Sequence, residues 1–189
     1  EAEVVPHYDE WYANGIVPKD FYPKLGELGV FGIEVPEEYG GGGVHDFTYS
    51  LVVSEETALA GVTFGSESVH TNLILPYLME YATDEQKQRW LPGMAAGELM
   101  FAIAMTEPGT GSDLQAVKTT AKKQGNAYVI NGQKTFITNG QAADLVIVVA
   151  RTGAPGAKGI SLIVVETAGA EGYRRGRNLD KIGLHASDT

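Results

Sequence analysis

Two short stretches carry side chains whose types and spacing suit the binding of a polar, planar ligand. The first, Thr106-Glu107-Pro108-Gly109-Thr110-Gly111-Ser112-Asp113, leaves an apolar run and turns through proline, glycines and hydroxyls. Glycines let a ligand approach the main chain, successive amides form a concave donor site, and the Thr110 and Ser112 hydroxyls add donors for a phosphate or carbonyl. The same residues also make an ordinary hydrogen-bonded β-turn, and local chemistry leaves turn and cradle equally open. In the second stretch, Lys134-Thr135-Phe136-Ile137-Thr138, strand alternation puts Phe136 and Thr138 on one face beside an Asn139-Gly140 turn. An aromatic surface and a hydroxyl donor pointing the same way suit a planar heterocycle.

Other chemistries find little support. The 189 residues include no cysteine, which removes disulfides, thiolate catalysis and cysteine metal sites, and fits a reducing compartment that we read as the cytoplasm. His7, His45 and His70 lack metal-ligand spacing, so no metal is expected, and Glu107 and Asp113 are read as bracing the turn. A net charge of -10 opposes a nucleic-acid partner, and the basic cluster Arg174-Arg175-Gly176-Arg177 reads as a solvated turn. No run approaches the roughly 18 apolar residues of a membrane span, and the start, Glu1-Ala2-Glu3, is acidic, so no membrane role is expected.

The two stretches need a scaffold, and a 43% hydrophobic chain can build one. Residues 1–97 read as helices. Asp20 is placed to cap a helix that carries Phe21, Leu25 and Leu28 on one face, with Pro23 in its first turn and Gly29 at its stop. From Asp46 a second helix sets Phe47, Leu51 and Ala58 in line beside Val52 and Leu59, a broad apolar face for a bundle. Thr83 to Gln86 spells a capping box that opens a helix burying Trp90, Leu91 and Met94. After Gly97 the period becomes two, with Phe101, Ile103 and Met105 on one face and Ala102, Ala104 and Thr106 on the other. Gly125-Asn126, Asn131-Gly132 and Asn139-Gly140 read as turns of an antiparallel meander, and Leu145–Ala150 and Ile160–Val165 as strands covered on both faces. The expected fold class is α+β in two domains: an all-α domain over 1–97, then a small antiparallel β-barrel or sandwich over 98–189.

Met105-Thr106-Glu107-Pro108-Gly109-Thr110-Gly111-Ser112-Asp113, followed by Asn131-Gly132-Gln133-Lys134 and Ile137-Thr138-Asn139-Gly140, resembles the signature of the acyl-CoA dehydrogenases. The resemblance extends over essentially the whole chain, through Gly29-Val30-Phe31-Gly32-Ile33, Pro36-Glu37-Glu38-Tyr39-Gly40-Gly41 and Lys181-Ile182-Gly183-Leu184 to Ser187-Asp188-Thr189, with the long-chain branch nearest.

This resemblance implies a bound FAD that accepts a hydride from the β-carbon of an acyl-CoA thioester, giving the trans-2-enoyl-CoA of fatty acid β-oxidation. It implies flavin contacts from Ile103, Met105, Thr106, Gly111, Ser112, Phe136, Ile137 and Thr138, with Ser112 also touching the acyl-CoA and Thr138 donating near N5. Two positions depart from the family's habit: Ile103 stands where tyrosine is frequent, and Phe136 where tryptophan is. The family's catalytic base is a glutamate placed after the β domain, so no catalytic residue is expected here. It lies in a C-terminal helical bundle, which we read as absent and which also completes the acyl pocket and the homotetramer; both chain ends read as cut, and the chain alone as inactive. Electron-transfer flavoprotein is the implied electron acceptor. Acyl-CoA oxidases and flavin monooxygenases share the same segments, and a non-catalytic β-sandwich binding module is the alternative that composition alone favours.

Overall fold

A computed structural model describes residues 2–189; Glu1, the first residue of the acidic start, lies outside the described residues. Among the described residues five α-helices precede five strands: α1 (Tyr8–Asn14), α2 (Tyr22–Glu27), α3 (Thr48–Leu59), α4 (Leu75–Tyr81) and α5 (Asp84–Ala95), then β1 (Phe101–Ala104), β2 (Thr120–Gln124), β3 (Ala127–Asn131), β4 (Leu145–Arg151) and β5 (Ile160–Glu166).

The strongest local signals form as expected. Thr83 Oγ1 accepts the Gln86 N–H at 3.3 Å while Gln86 Oε1 accepts the Thr83 N–H at 2.9 Å, so both orphan donors at the start of α5 are satisfied. Trp90, Leu91 and Met94 are buried. The α2 reading needs correction. Asp20 falls inside a 3-10 turn (Lys19–Phe21) that leads into the helix, and Leu28 is exposed although Phe21 and Leu25 are buried. The face expected to pack α3 into a bundle is bare, and the half-buried positions are Ser50, Val53 and Thr57. No residue of α3 is buried, and Phe47, Tyr49, Leu51, Val52 and Leu59 all stand exposed.

In the β half, β4 is the central strand. Along one edge it pairs antiparallel with β5 over its full length, from Leu145↔Glu166 to Arg151↔Ile160. Its other edge is shared: β1 runs parallel to residues 145–148, and β2 meets it at Thr120↔Arg151. Only β2 and β3 form the expected hairpin, closed by Gly125 at φ 60° and Asn126. The sheet is therefore mixed and open rather than a continuous antiparallel meander. The reason is tertiary: β4 is buried from Leu145 to Ala150, so both its edges need partners, and these come from distant segments. β5, expected to be covered on both faces, is only partly buried.

The alternation of β1 divides the core. Phe101, with Leu145 and Ile147, joins Ile74, Leu75, Leu78, Trp90, Leu91 and Met94 of the helical half, and Ile103 packs against that cluster. Ala102 and Ala104 face a small-residue cluster with Ala121, Ala143, Val146, Val148 and Ala150. Polar ties cross the same junction. Lys19 pairs with Asp144, and Glu166 accepts from Arg89 at 2.7 Å and from Trp90 Nε1 at 3.2 Å. His70, in a wide π-type stretch (Val69–Ile74), is fully buried; its Nδ1 accepts the Phe101 N–H at 3.3 Å and Nε2 faces Met94 O at 3.5 Å. This arrangement fits the neutral Nε2–H tautomer. Among the described residues no helix is long and apolar enough to cross a membrane, and no group of three or more His, Cys, Asp or Glu is arranged for a metal.

Burial of His70 lowers its pKa from 6.5 to about 4. The unfolded chain takes up this proton as the pH falls through 6.5, whereas the folded chain resists it to about 4. Stability tied to His70 is thus complete above 6.5 and falls on acidification toward about 4, by a total on the order of 3 kcal/mol. Urea unfolding of the protein and of His70→Gln between pH 7 and pH 4 should show the steeper loss in the parent; equal slopes would remove His70 as its source.

Candidate active site

The first stretch leaves β1 and folds tightly on itself. The Glu107 N–H donates to Thr110 O at 2.9 Å and the Thr110 N–H to Glu107 O at 3.0 Å, around Pro108 and Gly109. The buried Thr110 hydroxyl donates to Ala116 O at 3.1 Å. Those donors are consumed internally, as the turn reading requires. What remains open is the next step of the chain: among the described residues, the N–H groups of Gly111 and Ser112 and the Ser112 hydroxyl have no protein acceptor, and both residues are exposed. The turn forms over Glu107–Thr110, and the exposed Gly111 and Ser112 follow it. Asp113 Oδ1 accepts the Gln115 N–H at 3.1 Å and braces the following 3-10 turn (Leu114–Ala116).

Beneath this loop lies Glu107, 6% exposed. Oε1 accepts the Thr119 N–H at 2.9 Å and Lys134 Nζ at 2.9 Å, and Oε2 accepts the Lys118 N–H at 2.7 Å. Burial alone would raise the pKa of this carboxyl, but hydrogen bonds from Thr119, Lys118 and Lys134 outweigh it and hold it at about 2. Lys134 Nζ also donates to Met105 O at 3.0 Å. Farther along, Arg151 clamps the end of the loop through the main-chain carbonyls of Gln115 at 2.6 Å and Val117 at 3.2 Å, and also reaches Ala154 at 3.0 Å and Gly156 at 3.1 Å in the β4–β5 connection.

The second stretch is not a strand. Residues 132–138 run beside the first stretch, with Gly132 so close to Thr119 that a Cβ there would stand 2.3 Å from Thr119 Oγ1. The Thr135 N–H donates to Thr106 O at 3.0 Å. Phe136 has φ 58°, which breaks the pleat, so the expected shared strand face of Phe136 and Thr138 does not form. Its ring is 67% exposed. Ile137 packs against the small-residue cluster, and the Gly140 N–H closes a turn on Ile137 O at 3.0 Å around half-buried Thr138 and Asn139 at φ 66°. Asn139 is fully buried, and its Nδ2 donates to Phe101 O at 2.6 Å, tying the turn to the start of β1.

The structure thus joins Met105 and Thr106 to the segment that carries Phe136, Ile137 and Thr138, and places Gly111 and Ser112 on the loop that Arg151 clamps. Ile103 does not share the face of Ile137; it packs toward the helical cluster. The residues missed by sequence reasoning are Lys134, Arg151 and the buried side chain of Asn139. Their ties to Glu107, Gln115 and Phe101 span 27, 36 and 38 positions, and no short motif records them. The available signal was a lysine directly after Asn-Gly-Gln, beside a motif whose only nearby counter-charges are Glu107 and Asp113.

Comparison with known proteins adds a family. The model for the acyl-CoA dehydrogenase N-terminal domain matches residues 1–98, and that for the middle domain matches residues 102–189. Long-chain specific acyl-CoA dehydrogenase of Sus scrofa is 45% identical over 192 aligned positions, covering 100% of this chain and 44% of the relative. A crystal structure of acyl-CoA dehydrogenase from Geobacillus kaustophilus superposes with a TM-score of 0.91 at 50% identity, over 98% of this chain and 49% of that one. A glutaryl-CoA dehydrogenase from Mycobacterium smegmatis, solved in complex with FADH2, superposes with a TM-score of 0.83 at 30% identity, over 98% and 46%. The chain thus spans less than half the length of each.

An exposed aromatic side chain held at positive φ costs stability and gains little packing in return. Phe136→Gly should therefore stabilise the protein by on the order of 1 kcal/mol, read as a higher urea midpoint at unchanged m-value. A lower midpoint would mean that the ring is packed after all.

Proposed function

Because the chain belongs to the acyl-CoA dehydrogenase family, we propose that it forms the FAD-holding part of a longer enzyme that oxidises acyl-CoA thioesters to trans-2-enoyl-CoA in fatty acid β-oxidation. The observation that carries this reading is the bond from the Thr135 N–H to Thr106 O, which joins a segment followed by the exposed Gly111 and Ser112, whose N–H groups have no protein acceptor among the described residues, to one with exposed Phe136 at positive φ two residues before Thr138. That donor set fits a flavin, which needs hydrogen bonds at its pyrimidine edge and near N5, and an apolar surface against its rings.

FAD, when bound, supplies the hydride acceptor. Ile103, Met105, Thr106, Gly111 and Ser112 would line it from the first stretch, and Phe136, Ile137 and Thr138 from the second. Thr106 would serve the pyrimidine edge and Thr138 would donate near N5, while Ser112 also touches the acyl-CoA. In this reading the base that takes the α-proton is a glutamate contributed after Thr189, because an α-proton beside a thioester needs a carboxylate base and a carbonyl polarised by donors. The bare apolar face of α3 supports a further helical segment packed there. Electron-transfer flavoprotein as acceptor, a homotetrameric assembly and a cytoplasmic location complete the proposal.

Anaerobic titration of the full-length protein with acyl-CoA thioesters of increasing chain length should bleach bound flavin. A flavin that stays oxidised with every thioester would overturn the dehydrogenase assignment, and rapid oxygen consumption would favour an oxidase. In the same assay Thr138→Val should slow flavin reduction about tenfold or more, since a lost hydrogen bond near developing charge costs about 1 to 3 kcal/mol. An unchanged reduction rate would remove that role from Thr138.

A further inference from the structure

Glu107 and Lys134 form the most deeply buried ion pair among the described residues, with side chains 5% and 11% exposed; in the other three pairs every side chain is at least 27% exposed. Their bonds have a common feature. The carboxylate holds the N–H groups of Lys118 and Thr119, where the first stretch returns toward β2. The ammonium holds the carbonyl of Met105, where that stretch leaves β1. Lys134 itself opens the second stretch, one residue before the Thr135 to Thr106 main-chain bond. One ion pair thus ties the exit and return of the first stretch to the start of the second.

A buried ion pair is no better for stability than apolar side chains of the same volume. Apolar residues here would leave the buried Thr119 amide and the part-buried Lys118 amide and Met105 carbonyl without these partners, so the charges serve the geometry of main chain on either side of the loop. We propose that Glu107 and Lys134 are positioning residues, which contact no ligand and set the spacing of Thr106 and Ser112 from Phe136 and Thr138, and through it the affinity for flavin. This inference rests on the flavin-binding reading above.

The test uses the full-length protein with Glu107→Gln, Lys134→Met, both together, and Lys134→Arg. FAD affinity is measured from recovery of flavin fluorescence, and hydrogen exchange of the Lys118 and Thr119 amides is followed in flavin-free protein. Each single change should weaken FAD binding about tenfold or more and speed exchange at both amides. The double variant should bind no more weakly than the worse single one, and Lys134→Arg should recover most of the parent affinity, because the clasp acts as one unit. Folded single variants that bind FAD within about twofold of the parent would overturn the inference, whatever their stability. If both singles fail to fold, Glu107→Asp, which keeps the charge and withdraws the carboxylate, is judged by the same criterion. A parent that binds no flavin would defeat the functional reading and this inference together, whereas a flavin-binding parent with unaffected variants defeats this inference alone.

Discussion

The structure depends on one obligation: β4 is buried along nearly its whole length, and every main-chain donor and acceptor on both its edges needs a partner. β5 satisfies one edge continuously. The other is divided between β1 and β2, and the chain between those two strands leaves the sheet to form the glycine-rich loop. The loop is therefore anchored at both ends by pairing with the same rigid strand. Arg151, at the end of β4, extends that control to the loop's carbonyls, which no neighbouring strand reaches.

Within this frame, polar groups are sorted by role. Glu107, which holds the geometry, is buried with both oxygens bonded, to two amides and an ammonium, and Asn139 donates Nδ2 to Phe101 O while its Oδ1 has no partner. Of those the proposal assigns to a ligand, Gly111 and Ser112 are exposed and Thr106 and Thr138 half-buried, all on loops rather than strands. This division suits a site that must be rigid before its ligand arrives, since ordering a loop at the moment of binding would subtract from affinity.

Much of the scaffold was legible in the sequence because its signals are local. The Thr83 capping box, the Gly125-Asn126 hairpin, the alternation of β1 and the buried run of β4 each depend on a few adjacent residues. The family signature marked the candidate site as a set of residues, but not its shape. Lys134 to Thr138 alternates like a strand, yet the ion pair and the Thr106 bond hold it as an irregular segment with Phe136 in the left-handed region. Mixed pairing of the sheet was likewise illegible, because β1 and β4 meet across about forty intervening residues and no turn chemistry encodes a parallel partner. On α3, the half-buried positions are Ser50, Val53 and Thr57, and the apolar line that the spacing picked out is exposed.

That bare face has a consequence for how the protein is made. A helix of this length is marginal in water alone, and α3 draws its tertiary support from Ser50, whose hydroxyl bonds Asn72, and from half-buried Val53 and Thr57. Synthesis proceeds at roughly 5 to 20 residues per second, and an apolar stripe stays wet until later chain, or another molecule, covers it. For that interval Phe47, Leu51, Val52 and Leu59 form an adhesive strip, attractive to chaperones and to neighbouring nascent copies alike.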